Sequence, residues 1–393
     1  MVHLVRQTFV TYSRRLNNRL KSLSDISLKY LPFFKFEPPA PPGICIESLS
    51  DSNKHLAPLV KSITRGRMDS HYLLNLVNYE PVFYHAQALT SVWHGLPIAR
   101  RSAVLVLLFL GKQGELRVIL TKRSRRLRHF SGHISFPGGK VDNGLESEFQ
   151  CARRETEEEI GICRHNDNLM QRFGCEIKHL KVLPSYMART LLAVAPCVGF
   201  LNWEGSKVDE LEEQTLGSLG LNPGESASVF SVPLRDFLQP RPRRVELLEC
   251  LKQSYIKTKW GGIPWSLRQF IFPTQNENEV KWLADVEDLS SSSDDEHQDE
   301  THADQEFDIR TRNCWGLTAN ILHDVAEIVY NRNYGRVVGQ EDLIWSLLEH
   351  GQMKMKDRST FEKKLINNVT GCSFRECVGD TDFNKLKRMY GGI

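Results

Sequence analysis

Apolar and polar residues alternate in short runs through the middle of the chain, and these runs predict a β-sheet. Residues 103–110 and 116–121 are apolar or alternating, and the Gly-containing segment 111–114 between them predicts a hairpin turn. Three later segments, at residues 175–183, 191–201 and 228–232, have the same strand-like pattern. The central part of the chain is therefore predicted to be built on strands.

Helical periodicity marks two longer segments. Residues 146–160 are dense in helix-forming residues, and residues 317–329 repeat apolar side chains at the spacing of an amphipathic helix. A shorter helical stretch is predicted near residues 343–348. This mixture predicts the α/β fold class, and no apolar run approaches the length of a membrane span.

The composition is that of a soluble globular protein larger than one ordinary domain. The 393 residues are 40% hydrophobic and 25% charged. The nine cysteines are scattered and odd in number, which fits reduced thiols in an intracellular compartment better than a secreted disulfide framework. The nearest pair, Cys372 and Cys377, has no neighbouring histidine, so a zinc site is not expected.

Shifts in composition predict the organisation of the chain. The predicted parts are a basic presequence-like or disordered tail with a Pro-rich linker at 1–43, a helical extension at 44–99, a central domain at 100–334 with an acidic disordered insertion at about 285–308, and a C-terminal tail of unknown role at 335–393. The net charge of +3 averages over these parts and says little about partners. The acid-free, basic segment 1–24 is typical both of a mitochondrial presequence and of a disordered tail.

Candidate chemistry begins with glutamates in the predicted helix at 146–160. At 100° per residue, Glu155, Glu158 and Glu159 fall on one face, whereas Glu157 points away. Like charges at this spacing destabilise an isolated helix by roughly 0.2–0.5 kcal/mol per pair, and a bound hard cation such as Mg²⁺ reverses that effect. The alternative is a solvated helix face, which is what most charge runs are.

A basic run at 122–129 immediately precedes the glycine turn and the glutamate helix. It has three interpretations: a nuclear-localisation patch, a solvated surface loop, or a clamp for phosphates. A diphosphate beside three glutamates needs cationic groups, so its position favours the clamp. Arg123 and Arg128 are therefore predicted to contact the substrate.

These residues resemble the signature of the Nudix hydrolase superfamily. The positions that match are Glu146, Arg154-Glu155, Glu158-Glu159, Gly161 and Ile162. Two positions depart from the general pattern: Gly139 lies one residue too far from Glu146, and Thr156 stands where an aliphatic residue is usual. The longer loop between Gly139 and Glu146 is tolerated in one branch of the family.

That branch is the coenzyme A diphosphatases, whose additional motif resembles the residues upstream of the helix. The matching positions are Leu120-Thr121, Arg123-Ser124, Arg128, Gly132 and Phe136-Pro137-Gly138-Gly139. Two motifs in register are far more specific than either one alone. Within the branch, the nearest resemblance is to fungal peroxisomal enzymes.

The resemblance implies a Nudix-type α/β/α sandwich with a mixed β-sheet and a strand–loop–helix–loop catalytic motif. It implies Mg²⁺ or Mn²⁺ held by Glu155 and Glu159, with Glu158 as a further ligand or as the group that orients or deprotonates water. The implied catalytic set is Glu158, Arg154 and Glu146, in which Arg154 positions the glutamates by pairing with Glu146. The implied substrate contacts are Arg123, Arg128, Gly138 and Gly139.

The implied reaction is hydrolysis of coenzyme A, or an acyl-CoA, to 3′,5′-ADP and 4′-phosphopantetheine or its acyl derivative. A broader nucleotide diphosphatase acting on NAD-type compounds or capped RNA, and a catalytically silent binding protein, are the alternatives. No nucleic acid partner is expected, and oligomeric state is left open. Peroxisomal location follows from the resemblance, yet residues 390–393 are not a Ser-Lys-Leu type address, and the basic start of the chain favours mitochondria.

Two further features have alternative interpretations. Glu225 either reaches the glutamate cluster or serves a structural role as a cap or ion-pair partner, and the structural role is favoured. The Trp-rich segment 259–265, with Trp260 and Trp265, either stacks an adenine or forms a hairpin packed on the domain, and the packed hairpin is the favoured reading.

Overall fold

The computed structural model describes residues 69–86, 88–203, 214–238, 248–290, 309–333 and 335–392. The chain divides into two compact units, Met1–Cys45 and Ile46–Ile393. The first unit lies outside the described residues, as do the basic tail and linker predicted at 1–43 and most of the acidic insertion. The account below concerns the second unit.

Eleven strands and eight α-helices are found in the described residues. The strands are β1 Arg101–Leu110, β2 Leu116–Arg123, β3 Ile134–Ser135, β4 Gly138–Lys140, β5 Cys175–Val182, β6 Tyr186–Met187, β7 Ala193–Trp203, β8 Ser226–Pro233, β9 Lys252–Trp260, β10 Ile263–Pro273 and β11 Thr311–Trp315. The helices are α1 Leu73–Val77, α2 Glu148–Ile160, α3 Asn166–Phe173, α4 Lys281–Ala284, α5 Gly316–Val329, α6 Glu341–Glu349, α7 Thr360–Ile366 and α8 Arg375–Met389.

The main sheet is mixed. Its strand order is β3-β2-β1-β7-β5, with β4 paired to β1, β6 to β7 and β8 to β2. Strand β1 runs parallel to β7 and antiparallel to β2, so the predicted hairpin is present. Residues 105–109 of β1 are fully buried, which explains why this strand is a continuous apolar run.

Three more predicted strands and two predicted helices are also present. The strand-like segments at 175–183, 191–201 and 228–232 correspond to β5, β7 and β8, and the helical segments at 317–329 and 343–348 correspond to α5 and α6. Helix α2 packs on β1 and β4, and Thr318 of α5 donates its hydroxyl to the Ile134 carbonyl of β3 at 3.2 Å. The predicted α/β class with a mixed sheet is confirmed.

A second, three-stranded sheet has the order β11-β10-β9. Its β9–β10 hairpin contains the Trp-rich segment. Trp260 is only 1% exposed, and its indole nitrogen donates to the Leu365 carbonyl of α7 at 3.2 Å. Packing of the hairpin therefore accounts for Trp260, and stacking of this residue on an adenine is excluded because no face of its ring is open.

Helices α6 and α7 attach the C-terminal residues to the central domain through buried charges. The Glu341 carboxylate accepts hydrogen bonds from the Ser91 hydroxyl at 2.5 Å and from the backbone amides of Val92 at 2.8 Å and Ser185 at 2.7 Å. Arg100, which is fully buried just before β1, pairs with Glu362 at 2.7 Å. These contacts make residues 335–392 part of the same packed structure.

The described part of the N-terminal extension contains mainly short elements. Helix α1 is accompanied by 3-10 turns at Asp69–Tyr72, Tyr84–Ala86, Val92–Gly95 and Ile98–Arg100. Pro81 and Pro97 lack the backbone donor that a longer helix would need. Across the described ranges, no helix is both long enough and apolar enough to cross a membrane.

Candidate active site

Helix α2 carries most of the predicted site, and its ends are fixed by its own sequence. The Ser147 hydroxyl caps the helix by accepting a hydrogen bond from the backbone amide of Gln150. In return, the Gln150 side chain accepts one from the backbone amide of Ser147, which completes a capping box. The helix ends at Gly161, in the left-handed conformation with φ 77°. The helix therefore begins two residues later than the predicted start at 146, and Glu146 lies in the preceding loop, where its side chain is free to turn back toward the helix.

Arg154 connects the predicted glutamates. Its Nε donates to Glu146 Oε1 at 2.8 Å, and its Nη1 donates to Glu155 Oε1 at 2.9 Å and to Glu158 Oε2 at 3.2 Å. Burial alone would raise the pKa of Glu146, but the hydrogen bond from Arg154 lowers it below its ordinary value. The pairing of Arg154 with Glu146 is present even though the loop before Glu146 is one residue longer than the general pattern.

Gly138 and Gly139 allow backbone and carboxylate to approach closely. Both lie on β4, where Gly139 pairs with Ala103 of β1. A Cβ on Gly139 would stand 2.3 Å from Cδ of Glu155, and a Cβ on Gly138 would stand 2.5 Å from the Ala103 carbonyl oxygen. Gly139 thus makes room for the Glu155 carboxylate, and Gly138 lets β4 lie close to β1.

Glu159 is the most deeply buried of the predicted ligands, at 5% exposure. Burial raises its pKa to about 8, assisted by the charges of Glu155 and Glu225, while Arg123 and a hydrogen bond from Gly138 act in the opposite direction. Burial also raises the pKa of Glu155, where Arg154 opposes the shift and Glu158 and Glu225 add to it. The mutual effects show that these carboxylates converge on one region.

Glu225 joins this cluster from a different part of the chain. Its carboxylate accepts a hydrogen bond from the side-chain Nδ2 of Asn222 at 3.1 Å, and the backbone amide of Asn222 donates to the Glu159 carbonyl at 3.0 Å. Its own carbonyl accepts from the Ser124 amide at 2.8 Å, which connects the turn to the basic loop. Glu225 therefore accepts a hydrogen bond within its own turn, and its charge raises the pKa of both Glu155 and Glu159.

The other two glutamates of the run differ in their surroundings. The Glu158 side chain is 46% exposed and contacts Arg154. Glu157 points to the other side, where burial would raise its pKa but the hydrogen bond from Arg164 lowers it. Thr156 is 1% exposed and donates its hydroxyl to the Ala152 carbonyl at 2.6 Å, which satisfies the polar group buried at the usually aliphatic position.

The two predicted arginines do not lie in equivalent places. Arg123 ends β2 and faces Glu159, whose pKa it lowers, and its buried Nε has no hydrogen-bond partner in the part of the chain that is described. Arg128 is exposed on the following loop and makes no ion pair with another described residue. The structure therefore brings Arg123, and not Arg128, to the glutamates.

The donor set fits a hard divalent cation bound together with an anionic substrate. Four carboxylates, from Glu155, Glu158, Glu159 and Glu225, influence one another, and Glu159 is buried. Clustered like charges are costly unless a cation compensates them. The buried, unpaired Nε of Arg123 requires an acceptor such as a phosphate oxygen. This arrangement suits phosphoryl chemistry on a substrate that carries several negative charges.

Comparison with known proteins agrees with this geometry. Residues 99–249 match the family model described as "NUDIX domain". The chain is 39% identical over 335 residues to peroxisomal coenzyme A diphosphatase 1 of Saccharomyces cerevisiae, an alignment that covers 80% of this chain and 94% of the yeast protein. It is 30% identical to the mitochondrial Nudix hydrolase 15 of Arabidopsis thaliana, over 59% of this chain and 60% of that protein. It is 31% identical to the peroxisomal coenzyme A diphosphatase NUDT7 of Mus musculus, over 36% of this chain and 51% of that protein.

Proposed function

The chain belongs to the Nudix hydrolase family, and we propose that this protein hydrolyses the diphosphate bond of coenzyme A and its acyl derivatives. The products are 3′,5′-ADP and 4′-phosphopantetheine or acyl-phosphopantetheine. The observation that carries the proposal is the buried Arg123 Nε near Glu159, a carboxylate that Glu155 and Glu225 also influence, because it pairs an oxyanion site with a cation site. The names of the yeast and mouse relatives support coenzyme A as the substrate.

Glu155 and Glu159 are the principal ligands of a divalent cation, Mg²⁺ or Mn²⁺, and Glu158 and Glu225 offer further oxygen atoms. When bound, the cation supplies positive charge that stabilises the phosphate oxygens and makes a water molecule easier to deprotonate. Arg154 fixes the Glu155 and Glu158 carboxylates in position. Gly139 keeps the space that Glu155 occupies.

The remaining residues act on substrate and water. Arg123 donates from its Nε to an oxygen of the diphosphate, and Arg128, which projects from the same basic loop, supplies charge for the 3′-phosphate. Glu158 is the most exposed carboxylate of the group described above and takes the proton from the attacking water. The water oxygen bonds to one phosphorus, and the bond from that phosphorus to the bridging oxygen breaks.

Substrate preference is tested by comparing free coenzyme A, an acyl-CoA, NADH and capped RNA in the same assay with purified full-length protein. We expect kcat/KM for coenzyme A or the acyl-CoA to exceed that for NADH by at least about tenfold, or about 1.4 kcal/mol of discrimination. A preference for NADH or capped RNA would identify a broader nucleotide diphosphatase instead.

Removing divalent cations with a chelator should abolish turnover, and adding Mg²⁺ or Mn²⁺ should restore it. Turnover that persists in chelator would contradict the mechanism.

We place the protein in the peroxisome, in keeping with the names of its yeast and mouse relatives, with mitochondria as the alternative. Imaging a C-terminally tagged protein with and without residues 1–43 separates the two. Peroxisomal signal that persists without residues 1–43 supports the first location. Mitochondrial signal that disappears with them supports a presequence.

A further inference from the structure

Three aromatic side chains form a cluster next to the basic loop. The ring centroids of Phe130 and His133 are 5.6 Å apart, and those of His133 and Trp315 are 5.1 Å apart. Phe130 is 45% exposed and Trp315 is 42% exposed. This aromatic cluster of Phe130, His133 and Trp315 therefore presents ring surface to solvent.

A backbone contact places the cluster next to Arg123. Thr121 pairs with Ser135 and Lys122 with Ile134. Just before β3, the Arg123 amide donates to the His133 carbonyl at 2.9 Å, and the Arg123 carbonyl accepts from the Gly132 amide at 3.1 Å. The Arg123 side chain acts on Glu159, so His133 is bonded to the backbone of a residue that belongs to the site.

The cluster is held in a defined position but is not used by the core. Trp315 ends β11, and the helix that follows it is tied to β3 by the hydrogen bond from Thr318 to the Ile134 carbonyl. Phe130 has a φ of 55°, a left-handed conformation that is unfavourable for a residue other than glycine. Exposed aromatic side chains next to a residue of the site, one of them on a left-handed backbone, favour contact with a ligand over packing.

We propose that the aromatic cluster of Phe130, His133 and Trp315 stacks against the adenine base of the substrate's nucleotide half. This inference rests on the proposed function, and it names the part of the protein that recognises the base. An adenine at this place would leave its phosphates beside Arg123 and Arg128, which carry the complementary charge. The cluster thus takes the stacking role that the buried Trp260 is unable to perform.

The test measures binding of 3′,5′-ADP and, separately, of 4′-phosphopantetheine to the full-length protein by calorimetry. Trp315→Ala should weaken 3′,5′-ADP about tenfold, within the range found for base–aromatic stacking, whereas Trp315→Phe should weaken it less than threefold. Binding of 4′-phosphopantetheine should stay the same in both variants. Tyr255→Ala, which removes an aromatic residue of similar exposure (38%) on β9, is the matched control and should change neither affinity.

Kinetics of coenzyme A hydrolysis provide a second readout. Trp315→Ala should raise KM about tenfold with kcat within about twofold, a division that a general loss of structure would not produce. Wild-type and Trp315→Ala proteins that bind 3′,5′-ADP equally would overturn the stacking role even if coenzyme A is hydrolysed. Weakened 3′,5′-ADP binding in a protein that fails to hydrolyse coenzyme A would instead support the cluster and refute the proposed function.

Discussion

Glu157 and Glu159 lie two residues apart on α2, yet their surroundings shift the pKa values of the two carboxyl groups in opposite directions. Burial, together with Glu155 and Glu225, raises the pKa of Glu159 to about 8, whereas Arg164 holds the pKa of Glu157 below its usual value. Glu159→Gln should lower kcat about 100-fold or more, because the neutral amide is a poorer ligand for a hard cation. Glu157→Gln is the matched control and should keep kcat within about threefold.

Steady-state rates with coenzyme A at saturating Mg²⁺ measure both variants. Circular dichroism and thermal unfolding establish that each one is folded. Equal loss of turnover in the two variants would show that helix charge, and not the position of Glu159, is what matters. Unchanged turnover in Glu159→Gln would revive the interpretation of the protein as a silent binder.

Gly139 offers a second test at the scale of single atoms. In Gly139→Ala the new Cβ would stand 2.3 Å from Cδ of Glu155, so the carboxylate must move. We expect kcat to fall about tenfold or more, because a small misplacement of a reacting group has large kinetic effects. In Gly144→Ala the new Cβ meets only Ile98, at 3.5 Å, and turnover should be unchanged. Equal activity of the two variants would contradict the role given to Gly139.

The residues that were predictable are those whose geometry is local. The spacing of Glu155, Glu158 and Glu159 follows from helix periodicity, and the matched motif placed Arg154 near Glu146. For Glu225 the sequence favours a structural role over a place in the cluster, because its approach depends on the hydrogen bond from the Asn222 backbone amide to the Glu159 carbonyl, a contact that no local pattern encodes. The same limit applies to the arginines: sequence alone did not distinguish Arg123, which strand register aims at Glu159, from the exposed Arg128.

Among the elements, the attachment of α7 to the start of β1 has a clear energetic test. Arg100 and Glu362 are buried and paired at 2.7 Å, so neutralising one partner leaves an uncompensated charge in the interior. Glu362→Gln should lower the free energy of unfolding in urea by about 3–5 kcal/mol. Asp380→Asn removes the partner of Arg375 from an exposed ion pair and should leave the urea midpoint unchanged. A Glu362→Gln protein with the same free energy of unfolding as the wild type would refute the contribution of this pair to stability.

Helix α5 contributes a pH-dependent element through Glu327. Burial would raise the pKa of Glu327, but the hydrogen bond from His323 and the charge of Arg336 lower it to about 2, from 4.5. A folded-state pKa below the unfolded one stabilises the protein above about pH 4.5, and this stability is lost as pH falls from there toward 2. Protonation of Glu327 should therefore lower the free energy of unfolding of the wild-type protein by up to about 3 kcal/mol over that interval. Urea unfolding at pH 6, 5, 4 and 3 should show a shallower pH dependence for Glu327→Gln, and parallel curves would contradict the assignment.

A strand or helix was predictable where the pattern of its own residues is enough to identify it. Residues 103–110 form a long apolar run because β1 is buried on both faces, and that run predicts β1 directly. Trp260 shows where this reasoning stops. Its burial depends on Leu365 and Phe374, more than 100 residues later, so the sequence left two interpretations open and the tertiary contacts decided between them.

For the molecule as a whole, the C-terminal helices are predicted to be part of the folding unit, although their composition gave no indication of a role. Ending the chain after residue 358 removes α7 and α8. It thereby strips Glu362 from Arg100 and uncovers the Trp260 ring, which lies 5.3 Å from Phe374. We expect insolubility or a fall in Tm of about 10 °C or more, because several kcal/mol of burial and charge pairing are lost together.

Removal of residues 1–43 is the matched control for this truncation, because those residues belong to the other compact unit. The Tm of that variant and its turnover of coenzyme A should equal those of the full chain. The two truncations together test whether the position of β1 depends on the C-terminal helices. Arg100, the partner of Glu362, directly precedes β1. Ser102 of β1 donates its hydroxyl to the Gly139 carbonyl at 2.6 Å, and Gly139 makes room for Glu155. If the chain ending at residue 358 kept both its Tm and its turnover, the C-terminal helices would be dispensable and this connection to the active site would be wrong.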